Sequence, residues 1–270
     1  AAARAGAKVA YYTRLGDDAF GRMFLELWQR EQVDASGVGI DAHAHTGVYF
    51  VTHGASGHEF SYLRAGSAAS RMTPADLPRD VLGRSRFVHA SGISLAISST
   101  ACDAVLAAFE LARANGAKVS FDSNLRLKLW PLARARAMIG AAAGRADYFF
   151  PSLEDARALT GIENEDALVD WAHALGAKHV FLKLGPEGVI LSDGTRRERL
   201  AGHRVQAVDA TGAGDCFAGS ALARIAAGDS IWDAARYANA AAALATTGFG
   251  AVAPLPRPDA VRALLAGGGR

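Results

Sequence analysis

With 270 residues, 50% of them hydrophobic and 21% charged, the chain has the composition of a globular protein with a large core, in one domain or a domain with a small appendage. A net charge of +2 from scattered basic residues gives no footprint for nucleic acid or an anionic membrane, and no apolar run reaches bilayer length. The two cysteines, Cys102 and Cys216, fit neither a disulfide framework nor metal-ligand spacing and read as small buried residues in helices. No signal peptide is visible, so a bacterial-type cytoplasm is the default expectation.

In chain order, residues 1–6 read as the last turn of an alanine-rich helix closed by Gly6, and residues 8–13 as a strand. Asp17 and Asp18 then offer a cap, and Phe20, Met23, Phe24, Leu27 and Trp28 give the next helix one apolar face. Residues 46–51 and 59–64, separated by Gly54-Ala55-Ser56-Gly57, predict a β-hairpin. His43, His45, His53 and His58 gather around it, but no acidic or cysteine partner completes a metal cage, so they read as loop histidines. Tyr62 and Arg64 share one strand face, a phenol beside a planar guanidinium that suits a carboxylate; the alternative is a solvated edge strand.

Residues 86–91 predict a strand, 98–114 a helix, and 118–121 a strand that runs into Asp122-Ser123-Asn124-Leu125-Arg126. Polar residues at the carboxyl end of a parallel strand line the ligand crevice of a doubly wound sheet. A helix over 131–143 opens on proline, a strand follows at 146–150, and Ser152 with Asp155 fits a cap and a first-turn acid for the next helix. A helix over 164–175 and a strand over 179–184 lead into the turn Lys183-Leu184-Gly185-Pro186-Glu187-Gly188 and a strand at 189–191. Residues 195–208 read as extended, with Arg196, Arg197, Glu198 and Arg199 on a solvated hairpin face. Helices to residue 227 and over 231–247, a turn at 248–251 and a terminal helix over 256–265 complete the chain, with 267–270 frayed. The alternation of strands and helices argues an α/β layered sandwich with a mainly parallel sheet.

The densest chemistry lies in Val208-Asp209-Ala210-Thr211-Gly212-Ala213-Gly214-Asp215. Gly212 and Gly214 let the backbone turn sharply onto a helix whose first N–H groups have no internal partner, a pocket for a developing anion. Asp215 at the same helix start suggests phosphoryl transfer, the carboxylate taking a hydroxyl proton while the amides hold the transferred charge. An ordinary pKa of about 3.9 suffices, because the proton leaves late, as bond formation lowers the basicity of that oxygen. A lone Gly-x-Gly is often just a tight turn; this one is neither a Walker A loop nor Gly-x-Gly-x-x-Gly.

As a whole, the string from Asp209 to Asp215 resembles the second signature of the ribokinase (PfkB-type) family of sugar kinases, and Gly16-x-Asp18-x-x-Gly21 is similar to another family segment. Asp122-x-Asn124-x-Arg126-x-x-Leu129-Trp130, together with Tyr62-x-Arg64, resembles the 2-keto-3-deoxygluconate kinases within it. The resemblance implies a three-layer ribokinase-like sandwich, with residues 1–270 as one kinase domain and a small β lid within about residues 38–66, often used for dimerisation. It implies Asp215 as base, the Gly212-Ala213-Gly214 amides as anion hole, and Tyr62, Arg64 and Arg126 converging with Asp215 on a sugar acid. It places ATP against Asn124, Lys183, Gly185, Gly188, Thr211, Gly212, Gly214 and Asn239. Where the family has Asn-x-x-Glu to orient water on Mg²⁺, this sequence has Ser152 and Asp155, so Asp155 is a weak, water-mediated metal contact. Some members hold a monovalent cation near the last helix.

The family's opening strand and its sugar-binding Gly-Gly-x-x-x-Asn segment are absent from the sequence as given, which reads as a fragment or a start lost in processing. The expected function is an ATP-dependent kinase acting on the terminal hydroxyl of 2-keto-3-deoxygluconate, with a homo-oligomer formed through the lid. The alternatives are a fructokinase or ribokinase of the same family, or a non-catalytic nucleotide- or sugar-binding protein.

Overall fold

The computed structural model describes residues 1–54 and 57–267, the side chains of 53–60 lying outside the description. His53, His58 and the turn residues Ala55 and Ser56 are therefore not placed. The chain opens with a turn in which Ala5 N–H donates to Ala1 O at 2.9 Å. β1 (Arg14–Gly16), α1 (Ala19–Arg30) and β2 (Gly39–Asp41) follow, and β1 pairs with β2 in parallel. The strand expected at 8–13 is reduced to a single bridge between Ala10 and Asp34. The partner segment explains the break: Val38 N–H turns back to Ala35 O at 2.9 Å, so the two chains separate and the ladder resumes only at Arg14.

β3 (Val48–Gly54) and β4 (Gly57–Leu63) form the expected antiparallel hairpin, with Tyr49 opposite Tyr62. After α2 (Arg79–Arg84) the chain enters the main sheet through β5 (Phe87–Ser91), α3 (Gly92–Ala96), α4 (Ser99–Ala114), β6 (Lys118–Asp122), α5 (Leu132–Ala143), β7 (Tyr148–Phe150), α6 (Leu153–Thr160), α7 (Glu165–Ala174) and β8 (His179–Lys183). The hairpin-like β9 (Gly188–Ser192) and β10 (Arg197–Ala201), then α8 (Ala213–Ala227), α9 (Ile231–Ala245) and α10 (Pro258–Gly267), complete it. The six strands lie in the order β10-β9-β8-β7-β6-β5, parallel from β5 to β8 and antiparallel beyond.

Alternation along the buried strands sorts their side chains to two faces. Val119, Phe121, Phe149, Val180 and Leu182 pack with residues of α4 to α7, including Phe109, Ile139 and Val169. Tyr148, Phe150, Phe181, Val189 and Leu191 pack with Phe217, Ala221 and Ala235 of α8 and α9. Phe150 stacks on Phe181 at 4.6 Å within the second layer. Three layers result, and the parallel direction puts Ser91, Asp122, Phe150 and Lys183 at one edge of the sheet. The short α3, not anticipated from the sequence, starts at Gly92, where a Cβ would lie 2.0 Å from Ser123 O.

The Gly16-x-Asp18-x-x-Gly21 segment is a structural knot. Asp18 Oδ1 accepts from Gly21 N–H at 2.8 Å and from the Thr46 hydroxyl at 2.8 Å, and its Oδ2 accepts from Thr46 N–H at 2.7 Å. Gly16 has no room for a side chain, since a Cβ would stand 2.5 Å from Ala44 O. The carboxylate therefore caps α1 and ties it to the segment that enters the hairpin.

These donors, Thr46 N–H foremost, hold the Asp18 carboxyl below the usual aspartate range. A depressed carboxylate contributes stability above its unfolded pKa and loses it as pH falls through the folded value. Asp18→Ala is expected to cost about 1–2 kcal/mol at neutral pH. Thermal melts should show that gap narrowing as the pH falls below the carboxylate range.

Candidate active site

Most long helices of the chain start under a side-chain cap: Asp18 on α1, Ser98 on α4, Ser152 on α6, Asn164 on α7 and Ser230 on α9. α8 starts on Gly212, left-handed at φ +79°, and no side chain among the described residues caps it. Ala213 N–H closes the turn on Ala210 O at 3.1 Å. Of the amides expected to form the anion hole, that of Ala213 is thus engaged, while those of Gly212 and Gly214, and of Asp215 beside them, have no acceptor among the described residues.

Asp209 holds this turn in place. Its Oδ1 accepts from Thr211 N–H at 2.8 Å and its Oδ2 from Gly250 N–H at 2.8 Å, joining the start of α8 to the loop after α9. A side chain on Gly212 would begin 3.0 Å from Ala251 Cβ in that loop. Among the described residues the buried Thr211 hydroxyl oxygen has no hydrogen-bond partner, the kind of oxygen that a cation or water satisfies.

The ends of β6 and β8 face the turn. Lys183 Nζ donates to Asp122 Oδ2 at 2.5 Å, and the same nitrogen lies 3.2 Å from where a Cβ on Gly214 would stand. Asp122 Oδ1 accepts from Asn124 N–H at 3.1 Å, and Asn124 itself turns the chain at φ +31°. Asp155, at the start of α6, accepts from the Ser123 hydroxyl at 2.7 Å and Leu125 N–H at 3.0 Å, while Ser152 is spent as the cap of that helix. Burial raises the Asp155 carboxyl above its usual range. Among the described residues no three metal-ligating side chains cluster. One carboxylate with hard oxygen atoms fits a magnesium ion that keeps its waters and is held chiefly by nucleotide phosphates.

Two expected nucleotide contacts also have structural duties. Gly188 adopts φ +104° where a Cβ would lie 2.0 Å from Leu200 O, and the Asn239 amide donates to Ala201 O at 2.7 Å, tying α9 to β10. Gly185, at φ +61°, opens onto free space. His45 lies with its ring nitrogens 2.9 Å from Thr46 O and 3.3 Å from Ala65 O, a brace at the base of the hairpin.

Of the side chains expected to grip an acid, Arg64 and Tyr62 are neighbours. The Arg64 guanidinium lies 5.4 Å from the Tyr49 ring centroid and 5.6 Å from that of Tyr62. Arg126 curls back on its own turn, donating to Leu125 O at 2.7 Å. The Tyr49 hydroxyl is raised above its usual range by burial, then by the Asp215 carboxylate, while Arg64 and Arg126 act the other way, so all three charges lie within electrostatic reach of it. Asp215 is exposed to water but ringed by protein. Desolvation and then Asp122 raise its carboxyl above the ordinary aspartate range, opposed by Lys183, Arg126 and the chain's amino terminus. Asp122, Tyr49 and Tyr11 are neighbours that sequence reasoning left without a role. For Asp122 the signal was its place at a strand's carboxyl end; for the two tyrosines only the folded chain shows it.

The profile of the pfkB family of carbohydrate kinases matches residues 1–258. Fructokinase-2 of Solanum lycopersicum is 35% identical over 281 residues, covering 99% of this chain and 84% of that protein. A 2-dehydro-3-deoxygluconokinase of Bacillus subtilis is 34% identical over 267 residues, covering 97% and 82%. Among solved structures, a putative ribokinase II of E. coli in complex with ATP and Mg²⁺ superposes with a TM-score of 0.91 at 26% identity, covering 98% of this chain and 85% of that one. A Vibrio cholerae fructokinase with fructose, ADP and calcium bound gives a TM-score of 0.89 at 29% identity, covering 98% and 87%. The chain belongs to the pfkB family: it is a sugar kinase with a ribokinase-like fold that uses ATP and Mg²⁺.

Gly214→Ala tests the geometry of the turn. Alanine suits a helix, so the melting temperature should hold. The new methyl would press on Lys183 Nζ and narrow the pocket, lowering kcat by roughly tenfold or more. An unchanged kcat would separate this turn from the reaction.

Proposed function

Starting from membership of the pfkB family, we propose that the chain is a sugar-acid kinase that transfers the γ-phosphoryl group of ATP to the terminal hydroxyl of 2-keto-3-deoxygluconate. The observation that carries this reading is the pair of guanidinium groups: Arg64 stands against the Tyr49 and Tyr62 rings, and Arg64 and Arg126 both act on the Tyr49 hydroxyl that Asp215 also faces. Planar guanidinium forks match a carboxylate, and a neutral sugar has no use for two of them. Tyr62 stays beside Arg64 as a further donor.

Asp215 removes the proton of the hydroxyl as its oxygen bonds to phosphorus. The Gly214 and Asp215 amides, at the positive end of α8, hold the transferred group. Its raised pKa makes Asp215 a better proton acceptor than a free aspartate. Magnesium, when bound, would neutralise the phosphates, and Asp155 would be the residue that holds it, through water. Thr211, Asn124, Lys183 and Gly185 border the nucleotide, and the Thr211 hydroxyl suits a monovalent cation. Residues 1–270 act as one kinase domain with the hairpin as lid. Its Phe50 and Leu63, 57% and 56% exposed, support a homo-oligomer formed there. The need for ATP argues for the cytoplasm.

A fructokinase is the second reading, favoured by the 35% identity to the tomato enzyme. Coupled turnover of ATP with 2-keto-3-deoxygluconate, fructose and ribose separates the two. Under the acid reading, Arg64→Ala and Arg126→Ala each raise KM for the acid by about 10- to 100-fold. Turnover of fructose that ignores both substitutions would replace this reading with the second.

Asp215→Asn should abolish turnover and leave ATP binding nearly intact. In the unmodified chain, turnover should fall on acidification with a midpoint above the ordinary aspartate range, because the base works only when deprotonated. A midpoint within that range would remove the role given to its surroundings.

A further inference from the structure

An ammonium that is 14% exposed and a carboxylate that is 3% exposed meet where β8 and β6 end, at Lys183 and Asp122. Taking both charges out of water carries a penalty that their attraction does not reliably offset, so stability alone is a weak account of the pair. Its geometry is directional. Asn124 N–H fixes one oxygen of Asp122 and leaves the other for Lys183. The Lys183 backbone is itself anchored, its N–H donating to Pro151 O at 2.8 Å. One N–H of the ammonium goes to Asp122; the other two have no acceptor among the described residues. The nitrogen sits over Gly214, 3.2 Å from the Cβ position and beside the unpartnered amides of α8.

We propose that Lys183 is the side-chain cation of the phosphoryl pocket, contacting the group in transfer, and that Asp122 is the positioning residue that holds it there. This rests on the phosphoryl-transfer reading of Asp215 and α8, and not on which sugar is the acceptor. In the step, the acceptor oxygen forms a bond to the γ-phosphorus and the bond from that phosphorus to the β,γ-bridging oxygen breaks. ADP leaves with the electron pair, and the acceptor's proton passes to Asp215. Charge on the non-bridging oxygens is greatest during transfer, and an ammonium fixed over Gly214 stabilises it where water does not need to reorganise. Without Asp122 the flexible four-carbon stem would sample many positions.

The test compares Lys183→Met, Lys183→Arg, Asp122→Asn and the double variant Asp122→Asn/Lys183→Met, using whichever sugar the unmodified chain phosphorylates. Binding of ADP and of β,γ-imido-ATP is measured without sugar, so a wrong acceptor assignment does not affect that arm. Lys183→Met should lower kcat by about 10²- to 10³-fold. It should weaken imido-ATP by about tenfold or more while ADP binding barely changes. The double variant, which leaves no unpaired buried charge, should show the same kcat loss, and Lys183→Arg should recover part of it.

Asp122→Asn reports on positioning. Asp215 is faced by Asp122 from β6, Lys183 from β8, Arg126 from the turn after β6, the amino terminus, Cys216 on its own helix, and the hydroxyls of Tyr11 and Tyr49. Removing the Asp122 charge should lower kcat and move the acid limb of turnover to lower pH. Near-full kcat in Lys183→Met or the double variant would overturn the proposal. So would an equal loss of ADP and imido-ATP binding, or an acid limb that stays in place in Asp122→Asn.

Discussion

Leaving the first turn of α8 without a side-chain cap is the constraint on which the rest of the molecule depends. A missing cap costs a helix about 1 kcal/mol, and the chain spares most of its other long helices that loss with Asp, Ser and Asn residues. At α8 the loss is tolerated because the helix is buried against the sheet through Phe217, Ala221 and Leu222. Packing holds the helix in place, and its free amides remain available to a phosphate. Asp209 supplies the second support, fixing the turn to the loop after α9 through two backbone donors. A carboxylate can organise a turn in this way without occupying the site that the turn creates.

Charge is concentrated around that turn. Asp122 lies within electrostatic reach of both Asp155 and Asp215, and burial raises both of those carboxyls. Lys183 and Arg126 offset part of that repulsion. Such a site is electrostatically incomplete in the chain alone, which is the state expected of a pocket that receives a polyphosphate with its metal ion. The parallel sheet makes the concentration possible, since every strand from β5 to β8 delivers its carboxyl end to the same edge. The hairpin adds its own charge from outside the sheet, with Arg64 set against two tyrosine rings.

Much of the fold was legible because its strands are short apolar runs bounded by turn residues, and its helices carry recognisable caps. The segments that went astray share a physical cause. Residues 8–13 have strand composition, but their partner loops out at Ala35 to Val38, so pairing was decided by a segment more than twenty residues away. The brief helix α3 owes its place to contact between Gly92 and the Ser123 carbonyl, which no local pattern announces. For Gly188 and Asn239 the folded chain adds what no local pattern announces, a close backbone approach and an interelement tie.

The sequence by itself determined the phosphoryl-transfer motif, the alternation of strands and helices, and the pairing of Tyr62 with Arg64 on one face, because each follows from residue spacing within a few positions. Only the tertiary structure decided that Ala213's amide closes the turn while those of Gly214 and Asp215 remain open, that Ser152 is a cap, and that Lys183 reaches Asp122 across β7 and lies beside Gly214. It also decided the direction of the Asp215 pKa. Desolvation and the field of neighbouring charges depend on which groups surround a side chain in space, and those neighbours come from positions 122, 126 and 183, far apart along the chain.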